Sequence, residues 1–268
     1  MEQVLSGIHE LDQLLVALLI SLPRLHAFLT LSGVLSSSAV PRLARNGAIL
    51  MLALPLVPLN LAYAPMVGEN LPAFAAFFAK EYAIGFILGY LVNWIFWSVA
   101  ATGDFIDNQR GAAIASSIDP LQGHETSPLG NLFSQAFMTY FYSVGGMLVM
   151  ISVLYKSFVL WPVFNMLPIA SEQFPVLMLQ VLDLGMRTMF VLAGPVIALM
   201  FLSEFALALV SRFAPQVQVF ILAMPIKSAV AIFILVFYIQ ILFPFASDQQ
   251  SLFPALTDQF YAILEQGL

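Results

Sequence analysis

Residues 103–130 read GDFIDNQRGAAIASSIDPLQGHETSPLG and separate two long uncharged runs, residues 82–103 and 126–155. The segment carries four acidic residues, one arginine and one histidine, whereas both flanking runs carry none of these. Each run is long enough to cross a hydrocarbon core of roughly 30 Å as a helix. A polar segment between two such runs is where a membrane protein meets water, substrate or a partner.

The composition excludes an ordinary soluble domain. Of the 268 residues, 61% are hydrophobic and only 9% are charged, whereas soluble domains carry about 25% charged residues. The formal net charge of −6 argues against nucleic-acid binding, which needs a basic surface. The chain has no cysteine, which excludes disulfides and thiolate metal sites. An acidic N-terminus, with Glu2, Glu10 and Asp12, argues against a cleavable signal peptide.

These patterns predict an all-α, polytopic membrane protein with one domain over residues 1–268 and about six hydrophobic helical segments. The segments are residues 11–31, 46–67, 73–102, 127–155, 187–210 and 228–246. Pro55, Pro58 and Pro65 predict a broken second segment, so several segments are expected to be kinked or broken hairpins. We predict a polar central loop over residues 103–127. Residues 156–186 are predicted to be an excursion with one short helix, and residues 211–227 to be too short to span.

Gly85 and Gly89 have the GxxxG spacing, which places two glycines on one helix face and predicts a close helix contact. The basic residues are distributed asymmetrically. Five of them (Arg42, Arg45, Arg110, Arg212 and Lys227) fall on one side of six spans, and two (Lys156 and Arg187) fall near the other. The positive-inside rule makes the first side cytoplasmic and places both termini on the opposite side.

The acidic residues of the central segment allow two interpretations. Asp104, Asp107 and Asp119 would serve either to bind a cation or relay protons, or to cap helices in a solvated loop, and we favour the second. Asp107 and Arg110 are three residues apart, which predicts a local ion pair. Ser127 and Pro128 predict the cap and first turn of the fourth segment.

Several ionisable residues lie within or beside the apolar runs: Lys80, Glu81, Asp183, Arg187 and Glu204. They fit either the coupling site of a transporter or paired charges at subunit contacts, and spacing leaves both open. The sequence has no phosphate loop, HExxH or GxSxG motif. His9, His26 and His124 have no ligand-like spacing. We therefore predict no enzyme activity, no cofactor and no metal.

Two stretches together resemble one family. Residues 103–120 (GDFIDNQRGAAIASSIDP) and 212–227 (RFAPQVQVFILAMPIK) are similar to signatures of the T component of the type III secretion export apparatus, which is homologous to the flagellar biosynthesis R protein. The matching positions are Gly103, Asp107, Gln109, Gly111, Asp119 and Pro120, and then Arg212, Pro215, Gln216, Val219, Phe220, Pro225 and Lys227. Flagellar members more often have Asn where Gln218 stands, which favours the virulence-type injectisome branch.

The resemblance implies a non-enzymatic subunit of the export gate in the bacterial inner membrane, partly raised toward the periplasm. It implies one T chain in a helical assembly with five R-type and four S-type subunits, through which unfolded secreted proteins pass. The U-type switch protein, the V-type export protein, the inner rod and needle proteins, and membrane lipid are further implied partners, and nucleic acid is not.

The resemblance also implies roles for single residues. A gate or plug loop would contain Gly103, Asp104, Asp107, Gln109, Arg110, Gly111, Ser116, Ser117, Asp119 and Pro120. An assembly motif would contain Arg212, Pro215, Gln216, Gln218, Phe220, Pro225 and Lys227, with pore lining as the alternative for this second motif. Small side chains in the loop would let it close tightly and open at modest cost.

A different class of function stays open at this point. A secondary transporter of a small solute would use Asp104, Asp107, Glu204 and Lys80 as ion-coupling groups. Such transporters contain inverted repeats with matching broken helices, and the sequence shows no internal repeat. An intramembrane enzyme would need converging polar groups on two helices, and the sequence offers no such pair.

Overall fold

The computed structural model describes residues 2–34, 40–66, 71–111, 127–163, 172–214 and 219–266. These residues contain no strand and form nine α-helices: Glu2–Leu31 (α1), Arg42–Ala53 (α2), Val57–Asn60 (α3), Leu71–Arg110 (α4), Pro128–Ser143 (α5), Gly146–Leu160 (α6), Gln173–Phe213 (α7), Val219–Asp248 (α8) and Leu252–Gln266 (α9). Turns of 3-10 helix are Leu54–Leu56, Leu61–Met66 and Gln249–Ser251. The predicted all-α fold is confirmed.

The number of hydrophobic segments is also confirmed. Five stretches are long and apolar enough to cross a membrane: Glu10–Leu31, Arg42–Pro65, Phe74–Arg110, Gln173–Phe213 and Ile221–Leu264. Helices α5 and α6 form a sixth if taken as one span, and they are bent by 77° at their junction. Helices α4 and α7 contain 40 and 41 residues, so each is about 60 Å long, twice the thickness of a hydrocarbon core.

The chain divides into two compact units. The first comprises Met1–Asn93, Met147–Leu179 and Ser251–Leu268, and the second comprises Trp94–Gly146 and Gln180–Gln250. Both units draw on stretches that are far apart in sequence, so neither is a consecutive half of the chain. The single domain over residues 1–268 stays a prediction.

In the first unit, α1 and α4 pack closely through the paired glycines of α4. A Cβ atom at Gly85 would overlap the backbone carbonyl of Arg24. A Cβ at Gly89 would lie 3.1 Å from the carbonyl oxygen of Phe28 and 3.0 Å from Cβ of Leu31. The close helix contact predicted from the GxxxG spacing is confirmed, because only hydrogen side chains fit at this crossing.

The second hydrophobic segment is broken where its prolines predict. It is divided into α2, a 3-10 turn, α3 and a second 3-10 turn, because proline removes a helical donor and clashes with the preceding turn. The buried amide of Asn60 donates to the hydroxyl of Ser21 in α1 (2.7 Å). Tyr155 in α6 donates to the carbonyl of Leu52 (3.0 Å). Hydrogen bonds to neighbouring helices thus hold the broken segment in place.

The second unit has an aromatic core. Phe133, Phe137 and Phe141 recur every fourth residue on α5 and are fully buried, which places them on one face of the helix. Phe96 of α4 packs edge-on against Phe141, with the ring centres 4.9 Å apart. Phe243 of α8 lies 5.9 Å from Phe137, measured between ring centres. These rings join α4, α5 and α8.

Two predicted boundaries in the later part of the chain are wrong. Helix α7 begins at Gln173, inside the predicted excursion, because Pro175 falls in the first helical turn, where proline is tolerated. Helix α8 begins at Val219 and continues past Lys227, so residues 219–227 belong to a long helix despite Pro225. Both stretches are helical because their apolar content outweighs the effect of their prolines and charges.

Candidate functional site

The two ends of the polar central segment meet at the carboxylate of Asp107. Its Oδ1 atom accepts a hydrogen bond from Nε of Arg110 (2.6 Å), which confirms the predicted ion pair. Its Oδ2 atom accepts from the hydroxyl of Ser127 (2.7 Å) and the backbone N–H of Leu129 (2.9 Å). Asp107 is only 2% exposed. The last turns of α4 are therefore tied to the first turn of α5, whose N-terminus favours a negative charge.

Ser127 caps α5 while it donates to Asp107. Its side-chain oxygen accepts from the backbone N–H of Gly130 (2.9 Å), and Pro128 occupies the first turn. The cap and first turn predicted from the Ser-Pro pair are confirmed. One hydroxyl thus satisfies a free donor of the helix terminus and binds the carboxylate across the loop.

The central loop begins later than predicted. Residues 103–110, predicted as loop, form the last turns of α4, and the carboxylate of Asp107 finds its partners at the start of α5. A Cβ at Gly103 would lie 2.6 Å from the carbonyl carbon of Leu129, so the backbones of α4 and α5 touch there. Gly130 in turn leaves space for the carboxylate of Asp104.

Gly111 ends α4 in a left-handed conformation, with φ of +87°. Its N–H donates to the carbonyl of Asn108 (3.1 Å), and glycine is the residue that adopts this conformation at a helix end without strain. A Cβ built on Gly111 would lie 3.4 Å from Cγ of Met224. The start of the loop therefore lies against the first turns of α8.

The two sequence motifs share a pocket of about 440 Å³ in the second unit. Gln109 from the first motif lines it together with Glu204 of α7 and Lys227 from the second motif. The ammonium of Lys227 donates to the carboxylate of Glu204 at 3.2 Å. The side chain of Lys227 is 14% exposed, and that of Glu204 is 51% exposed.

Other predicted site residues lie apart from this pocket or outside the described part of the chain. Arg212 is exposed in the last turn of α7, and Phe220 and Pro225 lie in α8. The residues outside the description are Ser116, Ser117, Asp119 and Pro120 of the first motif and Pro215, Gln216 and Gln218 of the second. The gating and assembly roles stay predictions.

A buried charge cluster in the first unit was not predicted as a cluster. Nε of Arg24 donates to Glu81 (2.8 Å), and its other nitrogens donate to the carbonyl oxygens of Ser157 (2.8 Å) and Trp161 (3.0 Å). The ammonium of Lys80 lies 3.0 Å from the Glu81 carboxylate. Arg24 and Glu81 are completely buried. The sequence feature that could have indicated this cluster is one cation, Arg24, and one anion, Glu81, in separate apolar runs.

This cluster changes the interpretation of the intramembrane charges. Glu81 forms ion pairs with both Arg24 and Lys80, so these three charges are paired inside the chain. The sequence suggested either a transporter coupling site or charges paired at subunit contacts. Neither interpretation included an ion pair between Glu81 and Arg24 within the chain. Among the described residues, no group of three or more His, Cys, Asp or Glu side chains is arranged to hold a metal ion.

Long apolar helices, broken spans and a polar segment anchored between two helices define a multi-pass helical membrane protein. Residues 15–252 match the model of the family described as "Bacterial export proteins, family 1". The chain belongs to this family. It is a non-enzymatic component of a bacterial export apparatus and a multi-pass inner-membrane protein.

Individual relatives agree with the family. The chain is 40% identical over 218 residues to the Yop proteins translocation protein T of Yersinia pestis, covering 81% of this chain and 83% of that protein. It is 36% identical over 213 residues to the surface presentation of antigens protein SpaR of Salmonella typhimurium, covering 80% and 77%. It is 26% identical over 227 residues to the flagellar biosynthetic protein FliR of Escherichia coli, covering 83% and 84%. The resemblance to the T component is confirmed.

Proposed function

We propose that this chain is the T-type subunit of the export gate of a type III protein secretion system and that its central loop is a plug. The chain is 40% identical to the Yersinia secretion protein but 29% and 26% identical to two flagellar relatives, which supports the injectisome branch. Unfolded proteins are the substrates that pass the gate. The chain acts on these unfolded proteins only by opening or closing the path through the gate.

The anchoring of both loop ends at Asp107 carries the plug proposal. One carboxylate holds the end of α4 and the start of α5 together, so residues 112–126 leave and return at one fixed point. Gly111 supplies a turn at the departure point. Because both ends are anchored on helices, we expect a change of conformation in the loop to leave those helices in place. Its sequence is rich in Ala, Ser and Gly, which suits a tight closure.

The second motif supports a proposal about assembly. Arg212 is exposed beside Phe213, which is 91% exposed, and most side chains of α7 and α8 are not buried within the chain. Large exposed apolar faces mark contacts with other proteins or lipid. We assign these faces to R-type and S-type subunits, with one T chain beside five R and four S chains, and the U-type, V-type, inner rod and needle proteins as further partners.

The plug is tested with a single cysteine, because the chain has none of its own. Ser117→Cys in the loop and Ser143→Cys at the exposed end of α5 are placed in secreting cells and treated with a bulky, membrane-permeant thiol reagent. We expect labelling of the loop cysteine to reduce secretion at least about tenfold and labelling of the control to leave it unchanged. Complete labelling of Ser117→Cys with unchanged secretion would show that the loop is not the plug.

Subunit status is tested separately by a mild-detergent pull-down of the tagged chain and native mass spectrometry. A large complex with one copy of this chain among several small hydrophobic proteins is expected. A monomer or homodimer that binds a small solute would exclude the gate subunit and favour the transporter with Asp104, Asp107, Glu204 and Lys80 as coupling groups. The pairing of Lys80 with Glu81 and the anchoring role of Asp107 speak against that transporter.

A further inference from the structure

An apolar pocket of about 420 Å³ lies in the first unit between α1, α2 and α4. His26 of α1, Leu50 of α2 and Tyr82 of α4 are among its lining residues. Of the α2 residues that line the pocket, the first along the chain is the polar residue Asn46. The pocket is thus almost entirely apolar, with a polar edge on the side where α2 begins.

The pocket opens onto a longer groove along α4. Phe74, Phe78, Tyr82 and Phe86 recur every fourth residue, with alanines beside the first three. They line a surface depression of about 770 Å³, and Phe78 and Tyr82 belong to both cavities. From Phe74 to Phe86 the groove runs about 18 Å along the helix, slightly more than half of a hydrocarbon core of about 30 Å. The length of the groove therefore matches the depth of one lipid leaflet.

Two arginines of α2 precede the α2 residues that line the pocket. Arg42 and Arg45 precede Asn46, Ile49 and Leu50 at helical spacings of three and four residues, so all five share one stripe of α2. The last three residues line the pocket. Nε of Arg45 is shielded from solvent and has no hydrogen-bond partner among the described residues. No acidic residue occurs in α2, so the positive charge is not balanced along this helix.

The direction of the groove matches a molecule with a charged head and an apolar tail. Gly85 of α4 contacts Arg24, and Gly89 contacts Leu31 at the end of α1, so α4 runs parallel to α1. The Phe86 end of the groove therefore lies toward the end of α1, where the chain leads into α2 and Arg42. The Phe74 end lies farthest from the arginines.

We propose that this groove binds one anionic phospholipid, with its phosphate at Arg42 and Arg45 and an acyl chain in the apolar pocket. Guanidinium groups are well suited to phosphate, and basic pockets between membrane helices on the cytoplasmic side bind anionic headgroups. The positive-inside rule assigns Arg42 and Arg45 to that side. The combination of adjacent arginines and a long apolar groove favours a lipid over a protein segment. The proposal does not depend on the plug function.

The test uses the purified full-length chain in mild detergent and native mass spectrometry. Phosphatidylglycerol and phosphatidylcholine with the same acyl chains are the probes. The wild-type chain is expected to retain one phosphatidylglycerol at least about tenfold more strongly than phosphatidylcholine. Arg42→Gln with Arg45→Gln should remove that preference, because each arginine near the headgroup contributes to binding. Arg187→Gln, an exposed arginine of α7, is the matched control and should retain the preference.

A second variant tests the acyl-chain pocket independently of charge. Leu50→Trp fills part of the pocket and is expected to reduce retention of both lipids by a similar factor. Equal retention of the two lipids by the wild type, or undiminished phosphatidylglycerol binding by the double arginine variant, would overturn the proposal. It would also be overturned if Leu50→Cys formed a cross-link to a neighbouring protein in native membranes, because a protein would then occupy the groove.

Discussion

Arg24 shows what a charged residue requires inside an apolar bundle. Its guanidinium donates to the carboxylate of Glu81 and to two backbone carbonyl oxygens, and its flat face lies 4.2 Å from the ring centre of Phe158. A buried ion that loses its partner is strongly unfavourable, whereas a fully bonded pair is tolerated. The cluster therefore fixes how α1, α4 and α6 meet more than it adds stability.

Removing the cation alone should destabilise the first unit. For Arg24→Met we expect a loss of roughly 3–5 kcal/mol in the free energy of unfolding, because the carboxylate of Glu81 stays buried with less compensation. Thermal unfolding of the purified chain in detergent measures this loss. The double variant Arg24→Met with Glu81→Leu should lose less than Arg24→Met alone. If the double variant were the less stable of the two, the pairing would not be the reason for the loss.

The pair Glu204–Lys227 should behave differently, because it is partly exposed. Double-mutant cycles on such pairs give about 0.2–1 kcal/mol. We expect Glu204→Gln and Lys227→Met each to change the unfolding free energy by no more than about 1 kcal/mol, and the charge-reversed pair Glu204→Lys with Lys227→Glu to recover the coupling. A coupling free energy well above this range would mean that the two side chains are shielded from solvent in the purified chain.

At the scale of elements, the contact between α1 and α4 depends on a missing side chain. Gly85→Ala would place a methyl group against the backbone of Arg24, and overpacking of this kind costs roughly 1–3 kcal/mol. The matched control is Gly47→Ala in α2, where a Cβ meets nothing within 4 Å. There we expect no loss, or a gain of about 0.5–1 kcal/mol from helix propensity. Equal effects at both positions in thermal unfolding would contradict the close contact.

The end of α4 gives a second prediction at this scale. Gly111→Ala introduces a Cβ at a φ of +87°, which costs about 1–2 kcal/mol for an L-residue. The strain acts at the point where the loop leaves the helix, so we expect altered loop behaviour with little change in the fold. Protease accessibility of the loop in the purified chain is the measurement, and Gly194→Ala, which meets open space in α7, is the control. Identical accessibility in both variants would show that the Gly111 turn does not matter.

At the scale of the whole molecule, the class of fold and most of the spans follow from the sequence. Uncharged runs predict the helices, the prolines predict the break after α2, and the Ser127-Pro128 pair predicts the start of α5, because each is a local effect. The long-range contacts do not follow in the same way. Nothing local in residues 103–110 indicates that Asp107 binds Ser127 and Leu129, so a polar helix end was predicted as loop.

The candidate site also combines residues that the sequence indicates with contacts that it does not. Asp107, Arg110 and Lys227 were predicted as site residues from motif and resemblance. The inclusion of Glu204 in the pocket with Gln109 and Lys227, and the pairing of Arg24 with Glu81, depend on tertiary packing between distant helices. Sequence spacing does not encode such packing for a single chain. The sequence therefore indicates these residues one by one, and their contacts with one another become visible only in the folded molecule.

We propose that the loop anchored at Asp107 keeps the export gate closed at rest. The most direct test is the entry of a small membrane-impermeant dye into cells that carry the assembled complex. Asp107→Ala removes the shared acceptor of Ser127 and Leu129, and we expect a several-fold higher leak with the complex still assembled. Asp258→Ala, which removes a half-exposed partner of Lys156, should leave the leak at the wild-type level. A normal leak for Asp107→Ala in a fully assembled complex would contradict the account.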